Sequence, residues 1–165
     1  MTRACPWAEI FLPEVLLAAK AMYAGMDLLK PLLIRDGIPS IGKVVIGSVR
    51  GDLHDIGKNL VGIMLKGAGF EVIDLGHDVS PERFVRTAQA ENAAVIGMSA
   101  LLTTTMPAMR EVVDLVRAEK LDGRISTIVG GAPVSEAFAK DIGADAYGFD
   151  AAKAVVVVKD LVGRS

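Results

Sequence analysis

The sequence predicts an α/β protein with a doubly wound, five-stranded parallel sheet, preceded by a short helical segment. Three observations predict this fold. Short apolar runs alternate with helix-like segments from residue 43 to the end of the chain. Glycine and polar residues punctuate the boundaries. Hydrophobic residues make up 52% of the chain, which is typical of parallel strands buried on both faces. Five strand–helix units of this kind form a Rossmann-like or flavodoxin-like sheet with helices on both sides.

The predicted strands are the short apolar segments KVVIGSV, EVIDLG, AVIGMSA, STIVGG and AYGF. They lie at residues 43–49, 71–76, 94–100, 126–131 and 146–149. The first of them leads directly into a Gly-Asp loop.

The predicted helices follow the strands one by one. They lie at residues 55–69, 80–91, 106–120, 135–143 and 151–163. Gly69 ends the first helix, while Ser80 as N-cap and Pro81 at the first position begin the second. Thr104 or Thr105 is expected to cap the third helix. Four successive valines in the last segment favour a strand by propensity, but its place after a strand and its Ala, Lys and Asp neighbours favour a helix.

The chain is expected to comprise a helical cap remnant with linker at residues 1–39 and a binding domain at residues 40–165. The first part carries apolar residues at the spacing of one helical face, with Pro13 in the first turn and Pro31 near the end. This stripe comprises Leu12, Val15, Leu16, Ala19, Met22, Tyr23, Met26, Leu29 and Leu33. Because a single amphipathic helix cannot bury its own stripe, it must pack on another helix, on the second part or on another chain.

Composition excludes several classes of protein. The formal net charge is -2 with no basic run, which argues against a nucleic-acid partner. No apolar stretch approaches the roughly 18 residues that a membrane span needs, and the first residues lack a signal-peptide pattern. The single cysteine, Cys5, fits a reducing compartment. The expected location is the cytoplasm.

Parallel α/β sheets bind ligands at the carboxyl ends of their strands. Residues 51–57, 99–105, 130–133 and 147–150 follow the first, third, fourth and fifth predicted strands. We therefore expect these four loops to converge on one site.

The loop after the first strand reads GDLHDIGKN and contains Asp52, His54 and Gly57. A carboxylate beside a histidine can accept the proton of one ring nitrogen and so make the other a better metal ligand. Gly57 allows close approach of backbone and ligand. The plainer reading is that His54 is structural or solvated, Asp52 caps a helix and Gly57 serves packing. No further protein ligands accompany His54, as a zinc site would need, so a metal here would arrive inside a macrocycle.

Two later loops add polar and small residues to the same edge. Ser99, Thr103, Thr104 and Thr105 place four hydroxyl groups after the third strand, where helix capping is the plainer explanation for Thr104 or Thr105. Gly130 and Gly131 follow the fourth strand. Adjacent glycines suit either a tight turn or a flat ligand group passing close to the backbone.

Taken together, the ordered motifs DxHxxG, SxL and GG resemble the cobalamin-binding domain family over about residues 42–163. That family includes methionine synthase, the corrinoid carrier proteins of methanol, methylamine and methoxy-compound methyltransferases, and cobalamin-dependent mutases. Residues 11–33 also resemble the last helix of the helical cap that precedes this domain in methionine synthase and the carriers. Mutases lack that cap, so the resemblance favours methyl transfer over radical rearrangement.

The resemblance implies cobalamin as the cofactor, with its dimethylbenzimidazole tail displaced from cobalt and His54 as the metal ligand in the lower axial position. Asp52 would hydrogen-bond His54, and Thr105 would take the place of the serine that completes the relay in methionine synthase. The implied cofactor-binding residues are Asp52, Leu53, His54, Asp55, Ile56, Gly57, Ser99, Leu101, Thr103, Thr105, Gly130, Gly131, Tyr147 and Gly148. The channel for the tail would be lined by Ser99, Leu101, Thr103, Gly130, Gly131, Tyr147 and Gly148.

The resemblance also implies a function. The chain would carry a methyl group on cobalt, alternating between methylcobalamin and cob(I)alamin, from a substrate-specific methyltransferase to a second methyltransferase. It would catalyse little alone, and a reductive activator is a further implied partner. The alternatives are a cobalamin-binding sensor, the small subunit of an adenosylcobalamin-dependent mutase, and a receiver-like or flavodoxin-like module that shares the fold alone.

The N-terminal part departs from the family pattern. The family cap is usually a four-helix bundle, whereas only about 35 residues precede the domain here. The chain would then be a truncated or late-starting form, or would complete its cap as a homodimer through the stripe of residues 12–33.

Overall fold

The structure, a computed structural model, describes residues 40–163 together with eight residues of the N-terminal part. Those eight are Glu14, Leu17, Ala18, Lys20, Ala21, Ala24, Gly25 and Leu28. The chain divides into two compact units, Met1–Pro39 and Ser40–Ser165. All eight described residues of the first unit are helical and exposed. The nine residues of the predicted apolar stripe, together with Pro13 and Pro31, lie outside the described residues.

The second unit is built on a five-stranded parallel sheet with strand order β2-β1-β3-β4-β5. The strands are β1 (Lys43–Ser48), β2 (Glu71–Asp74), β3 (Val95–Ser99), β4 (Ser126–Gly130) and β5 (Ala146–Gly148). This confirms the predicted sheet. Each strand ends one or two residues earlier than expected, because the chain leaves the sheet at that edge to form the loops of the candidate site.

Five helices alternate with the strands, as predicted. They are α1 (Ile56–Gly67), α2 (Pro81–Ala90), α3 (Pro107–Ala118), α4 (Glu136–Ile142) and α5 (Ala151–Val162). The Ser80 side chain caps α2 by accepting from the Arg83 N–H. The four-valine segment is helical, and Ala154 and Val158 are buried at a spacing of four residues. In the described part of the chain, no helix is long and apolar enough to cross a membrane.

The expected threonine cap of α3 is wrong. Met106 occupies the cap position and provides no side-chain cap. The Thr105 hydroxyl instead lies within hydrogen-bond distance of the Asp52 carboxylate, at 2.7 Å, and of the Leu102 carbonyl, at 2.9 Å. The fold brings the buried, charged Asp52 carboxylate close to Thr105. The Thr105 hydroxyl therefore bonds to Asp52 rather than to the exposed N–H groups at the start of the helix.

Adjacent residues of each central strand enter cores on opposite faces of the sheet. Val45, Ile96 and Val129 pack in a core with residues of α2, α3 and α4. Their neighbours, such as Val44 and Val95, pack in a second core with residues of α1 and α5. Two apolar cores therefore stabilise the sheet from both sides.

The register aligns the carboxyl ends of four strands. Ser48 pairs with Ser99, Ser99 with Gly130, and Gly130 with Gly148. The last residues of β1, β3, β4 and β5 thus form one row across the sheet. The loops that follow them must begin side by side.

Candidate functional site

The loops after β1 and β3 meet where the strand order reverses. In an open parallel sheet, this switch point is where ligands bind, because the two connections leave on opposite faces and open a crevice. The chain from Val49 to Asp55 and the chain from Ala100 to Met106 border this crevice.

Asp52 joins the two loops. Its side chain is fully buried. One carboxylate oxygen accepts from the His54 N–H at 3.0 Å and lies 2.9 Å from His54 Nδ1. The other accepts from the Thr105 hydroxyl and the Leu101 N–H, both at 2.7 Å. A buried carboxylate needs such donors, since an unpaired buried charge is costly.

The charge of Asp52 decides which His54 nitrogen is available. Burial alone raises the pKa of Asp52, but the hydrogen bonds from Thr105, Leu101 and His54 outweigh it and hold the pKa well below its usual range. The carboxylate is therefore ionised and can only accept hydrogen bonds. Nδ1 of His54 can therefore donate to this carboxylate, and in the neutral imidazole this leaves the lone pair on Nε2. The His54 side chain is 51% exposed, so a metal can reach Nε2.

Two residues that sequence reasoning missed hold this loop in place. The Ser48 hydroxyl donates to the His54 carbonyl at 2.6 Å. Asp78, after β2, accepts from the Gly51 N–H at 2.8 Å and donates its own N–H to the Asp52 carbonyl at 3.0 Å. A buried serine in an otherwise apolar strand was a signal for Ser48. Nothing local marks Asp78, because its partners lie in another loop.

An ion pair between a buried lysine and an exposed aspartate at the start of α1 was also missed. The Lys58 side chain is 3% exposed, and its Nζ lies 2.6 and 2.5 Å from the two carboxylate oxygens of Asp74. The same ammonium donates to Asn59 Oδ1 at 2.7 Å. This pair holds the first turn of α1 against the end of β2.

An open groove with a cavity volume of about 400 Å³ extends from the site between α1, α5 and the sheet. Its walls include six of the predicted site residues, namely Gly57, Ser99, Gly130, Gly131, Tyr147 and Gly148. Leu101 and Thr103 are exposed and are not part of this lining. Leu101 reaches the site through its main-chain N–H instead.

The glycines of the site serve two different purposes. A Cβ on Gly131, which has φ +131°, would lie 1.9 Å from the Ala100 carbonyl oxygen, and a Cβ on Gly130 would lie 3.0 Å from the Gly148 carbonyl oxygen. The fold itself therefore needs these glycines. A Cβ on Gly57 would meet nothing within 4 Å and would project into open space, so that glycine keeps room for a ligand.

Apolar side chains are exposed on the loops at this edge. They are Leu53, Ile56, Leu101, Leu102 and Phe149. Grouped exposed apolar residues mark a binding surface. Asp55, between Leu53 and Ile56, occupies the cap position of α1 without a side-chain capping bond.

The donor set fits a metal that brings its own ligands. In the described part of the chain, no group of three or more His, Cys, Asp or Glu residues could hold a metal ion. His54 offers one nitrogen beside an apolar surface and a long groove. These features fit a metal inside a flat macrocycle with an appended tail.

The fold and the site thus define a protein that binds a large metal-bearing cofactor at the carboxyl edge of a parallel sheet. Residues 42–156 match the B12 binding domain, and the chain belongs to this family. Its cofactor is cobalamin.

The relatives are corrinoid proteins. Dimethylamine corrinoid protein 3 of Methanosarcina mazei is 46% identical over 155 residues, which cover 93% of each chain. A novel cobalamin-binding protein from Desulfitobacterium hafniense DCB-2 superimposes with a TM-score of 0.78 at 37% identity, over 93% of this chain and 72% of that one. The methanol:cobalamin methyltransferase complex MtaBC from Methanosarcina barkeri gives a TM-score of 0.82 at 34% identity, over 94% of this chain and 59% of that one.

The receiver-like alternative shares only the fold. The signal receiver domain of the response regulator NarL from Mycobacterium tuberculosis has a TM-score of 0.57 at 19% identity. Similarity at that level concerns the arrangement of strands and helices, and it carries no information on function.

Proposed function

We propose that this chain is a corrinoid methyl carrier that binds cobalamin with the nucleotide tail displaced from cobalt and His54 in the lower axial position. The observation that carries the proposal is the buried, ionised Asp52, which keeps the proton on Nδ1 of His54 and leaves Nε2 free. When bound, cobalamin supplies a cobalt centre that accepts and releases a methyl group. The corrinoid-protein relatives support this role.

Thr105 completes the proposed axial-ligand network. Its hydroxyl donates to the Asp52 oxygen that His54 does not contact. This bond disperses charge on the carboxylate and restricts its rotation. Thr105 and Asp52 would thus orient His54 and limit how basic its free nitrogen becomes.

The groove is the proposed channel for the nucleotide tail. It is lined by Ser99, Gly130, Gly131, Tyr147 and Gly148. Because the three glycines have no side chains, space is left for the tail beside the sheet. The loop residues Leu53, Asp55, Ile56 and Leu101, together with Thr103, would contact the cofactor outside the groove. Leu53, Ile56, Leu101 and Thr103 are exposed at the carboxyl edge and Asp55 is half-buried there, which supports this assignment.

The proposed partners are a substrate-specific methyltransferase that delivers the methyl group, a second methyltransferase that removes it, and a reductive activator. A methanol:cobalamin methyltransferase complex among the structural relatives supports partners of this kind. The carrier would act in the cytoplasm as a substrate of both enzymes rather than as a catalyst by itself. Residues 1–39 would form a partial helical cap and linker, and a homodimer through the N-terminal helix is a further proposed association.

The axial-ligand assignment is tested by reconstitution with hydroxocobalamin, reduction to the Co(II) state and EPR spectroscopy. In protein labelled with ¹⁵N-histidine, the splitting from the axial nitrogen should change from a triplet to a doublet. His54→Ala should retain corrinoid and lose the protein-derived splitting. His77→Ala, which removes an exposed histidine outside the site, is the matched control and should leave the spectrum unchanged.

Each outcome has a defined meaning. If wild type retains no corrinoid, the proposal as a whole fails. If ¹⁵N labelling leaves the splitting unchanged, or His54→Ala keeps the labelled pattern, the His54 assignment fails. Transfer of an isotopically labelled methyl group through the loaded protein between two methyltransferases tests the carrier role. Binding without any such transfer would overturn that role.

A further inference from the structure

Phe149 is an exposed aromatic residue on the rim of the groove. It follows β5, lines the groove, and is 77% exposed. A phenylalanine ring can bury 150–250 Å² of surface when it is covered. Because the Phe149 ring is exposed beside an apolar groove, a ligand that covered the ring would gain binding free energy from burying it.

The main chain on both sides of Phe149 is held firmly. A Cβ on Gly148 would lie 3.1 Å from Ala154 Cβ, so the strand end packs directly on α5. The Asp150 carboxylate accepts from the Lys153 N–H at 2.7 Å and caps α5. The backbone of Phe149 is therefore held between two anchored residues, and its exposed side chain lies at the rim of the groove.

The groove offers little to polar ligand atoms. Among its described lining residues, the polar side chains belong to Lys58, Ser99, Tyr147 and Asp150. The Lys58 ammonium is engaged by Asp74, and Asp150 caps α5. The remaining lining is glycine or apolar, so a polar heterocycle would lose more hydration there than an apolar one.

We propose that Phe149 packs over the base at the end of the cofactor tail and makes the groove select benzimidazole-type bases over purine bases. This inference rests on the proposed function, in which the tail occupies the groove. A dimethylbenzimidazole presents methyl groups and an aromatic face to the apolar lining and to the Phe149 ring. An adenine places an amino group and additional ring nitrogens in the same space, where Ser99 and Tyr147 contribute the side-chain hydroxyl groups of the lining.

Equilibrium binding to the apo full-length chain tests this with three corrinoids, followed by visible spectroscopy. They are cobalamin, the adenine-containing cobamide, and cobinamide, which has neither nucleotide nor base. Wild type should bind cobalamin at least about ten-fold more tightly than the adenine cobamide, as expected for burying unpaired polar groups. Phe149→Ala should bind cobalamin about ten-fold more weakly, as expected for a lost aromatic contact, with unchanged affinity for cobinamide.

Two further variants complete the design. Phe149→Tyr, which keeps the ring, should retain the affinity for cobalamin. Val156→Ala removes an exposed apolar residue of α5 that does not line the groove, and all three affinities should equal those of wild type. The free energy of unfolding of apo Phe149→Ala should match that of wild type, because the ring is exposed.

The inference and the proposed function fail in different ways. Equal affinities of wild type for the two cobamides, or equal losses for cobalamin and cobinamide in Phe149→Ala, would overturn the role of Phe149 in selecting the base. Absence of binding to all three corrinoids would overturn the proposed function itself.

Discussion

The site has two ends built on opposite principles. At the axial-ligand end, Asp52 is surrounded by donors from His54, Leu101 and Thr105, and its positions are set by short hydrogen bonds. In the groove, space is maintained by glycines and by exposed apolar groups. The polar end is held together by hydrogen bonds within the protein, whereas the groove is kept open by positions that lack a side chain. Substitutions at the first end should therefore affect folding. Substitutions at the second end should affect binding, except at Gly130 and Gly131, where a side chain would collide with the main chain.

The largest effect is expected for Asp52→Ala, which leaves several buried donors without an acceptor. Each unpaired buried group costs about 1–3 kcal/mol, so the apo protein should lose roughly 3 kcal/mol or more in its free energy of unfolding. Urea denaturation measures this loss. Asp141→Ala, which removes an exposed partner of Arg110, is the control and should cost about 1 kcal/mol at most. Similar losses in the two variants would contradict a preassembled polar end.

Gly131→Ala should destabilise the apo protein by about 2–3 kcal/mol, since the backbone there is left-handed and strained for other residues. The new Cβ would also collide with the Ala100 carbonyl oxygen. Thermal and urea unfolding of apo protein measure the effect. If the apo variant were as stable as wild type and failed only to bind cobalamin, Gly131 would instead resemble Gly57, as a glycine that keeps space for the ligand.

Thr105→Val removes one charge-assisted hydrogen bond to Asp52 and should cost about 1.5–2 kcal/mol of apo stability. Thr105→Ser keeps the hydroxyl and should recover most of that loss. Cobalamin-loaded Thr105→Val should also show altered axial ligation in its visible spectrum. If valine and serine variants were equally stable, the hydroxyl would have no structural role.

Acid unfolding should reveal the lowered pKa of Asp52. Its stabilising contribution is complete above the ordinary aspartate pKa and is lost as the pH falls from there toward the lower folded pKa, because the unfolded state then binds the proton more tightly. One such group contributes at most about 1.4 kcal/mol per pH unit. Urea titrations between about pH 3 and 5 should show a shallower slope in Thr105→Val, which weakens the cause of the shift. Equal slopes in wild type and Thr105→Val would contradict a lowered Asp52 pKa that depends on the hydrogen bond from Thr105.

The smallest effect on stability, and of opposite sign, is expected for Gly57→Ala. Replacing a helical glycine by alanine at an unhindered position should stabilise apo protein by about 0.5–1 kcal/mol. The same methyl group enters the groove and should weaken cobalamin binding, which titration of the apo protein measures. If the variant gained stability and bound cobalamin as tightly as wild type, Gly57 would not be needed to keep space for the ligand.

Much of the fold could be predicted because its signals are local. Helix caps such as Ser80, and the burial of alternate residues, act over a few positions and appear directly in the sequence. Even the four-valine segment of α5 was assigned correctly, because its position in the strand–helix alternation outweighed its strand propensity. Predicted strands extended too far at their carboxyl ends, since local apolar character continues past the point where pairing ends.

The candidate site was predictable in part. The Asp52, His54 and Gly57 spacing and the glycine pair indicated loops that the structure aligns at the carboxyl edge of the sheet. The Leu101 main-chain N–H also donates to Asp52. This bond could not be predicted, because a main-chain donor does not depend on the type of side chain at that position. The cap expected from Thr104 or Thr105 was wrong. Local rules could not include the acceptor that Thr105 contacts, since it lies 53 residues away in the chain.

The sequence alone therefore determined the succession of strands and helices, the loops that carry the chemistry and the residue types available in them. Periodicity, propensity and capping operate within one element, so these features need no knowledge of the partners. Only the tertiary structure decided that Asp52 faces Thr105 and that Lys58 pairs with Asp74. It also decided that a side chain at Gly131 would collide with Ala100, whereas one at Gly57 would meet open space. Those contacts depend on the register that aligns Ser48 with Ser99 across the sheet, which joins parts of the chain that no local pattern connects.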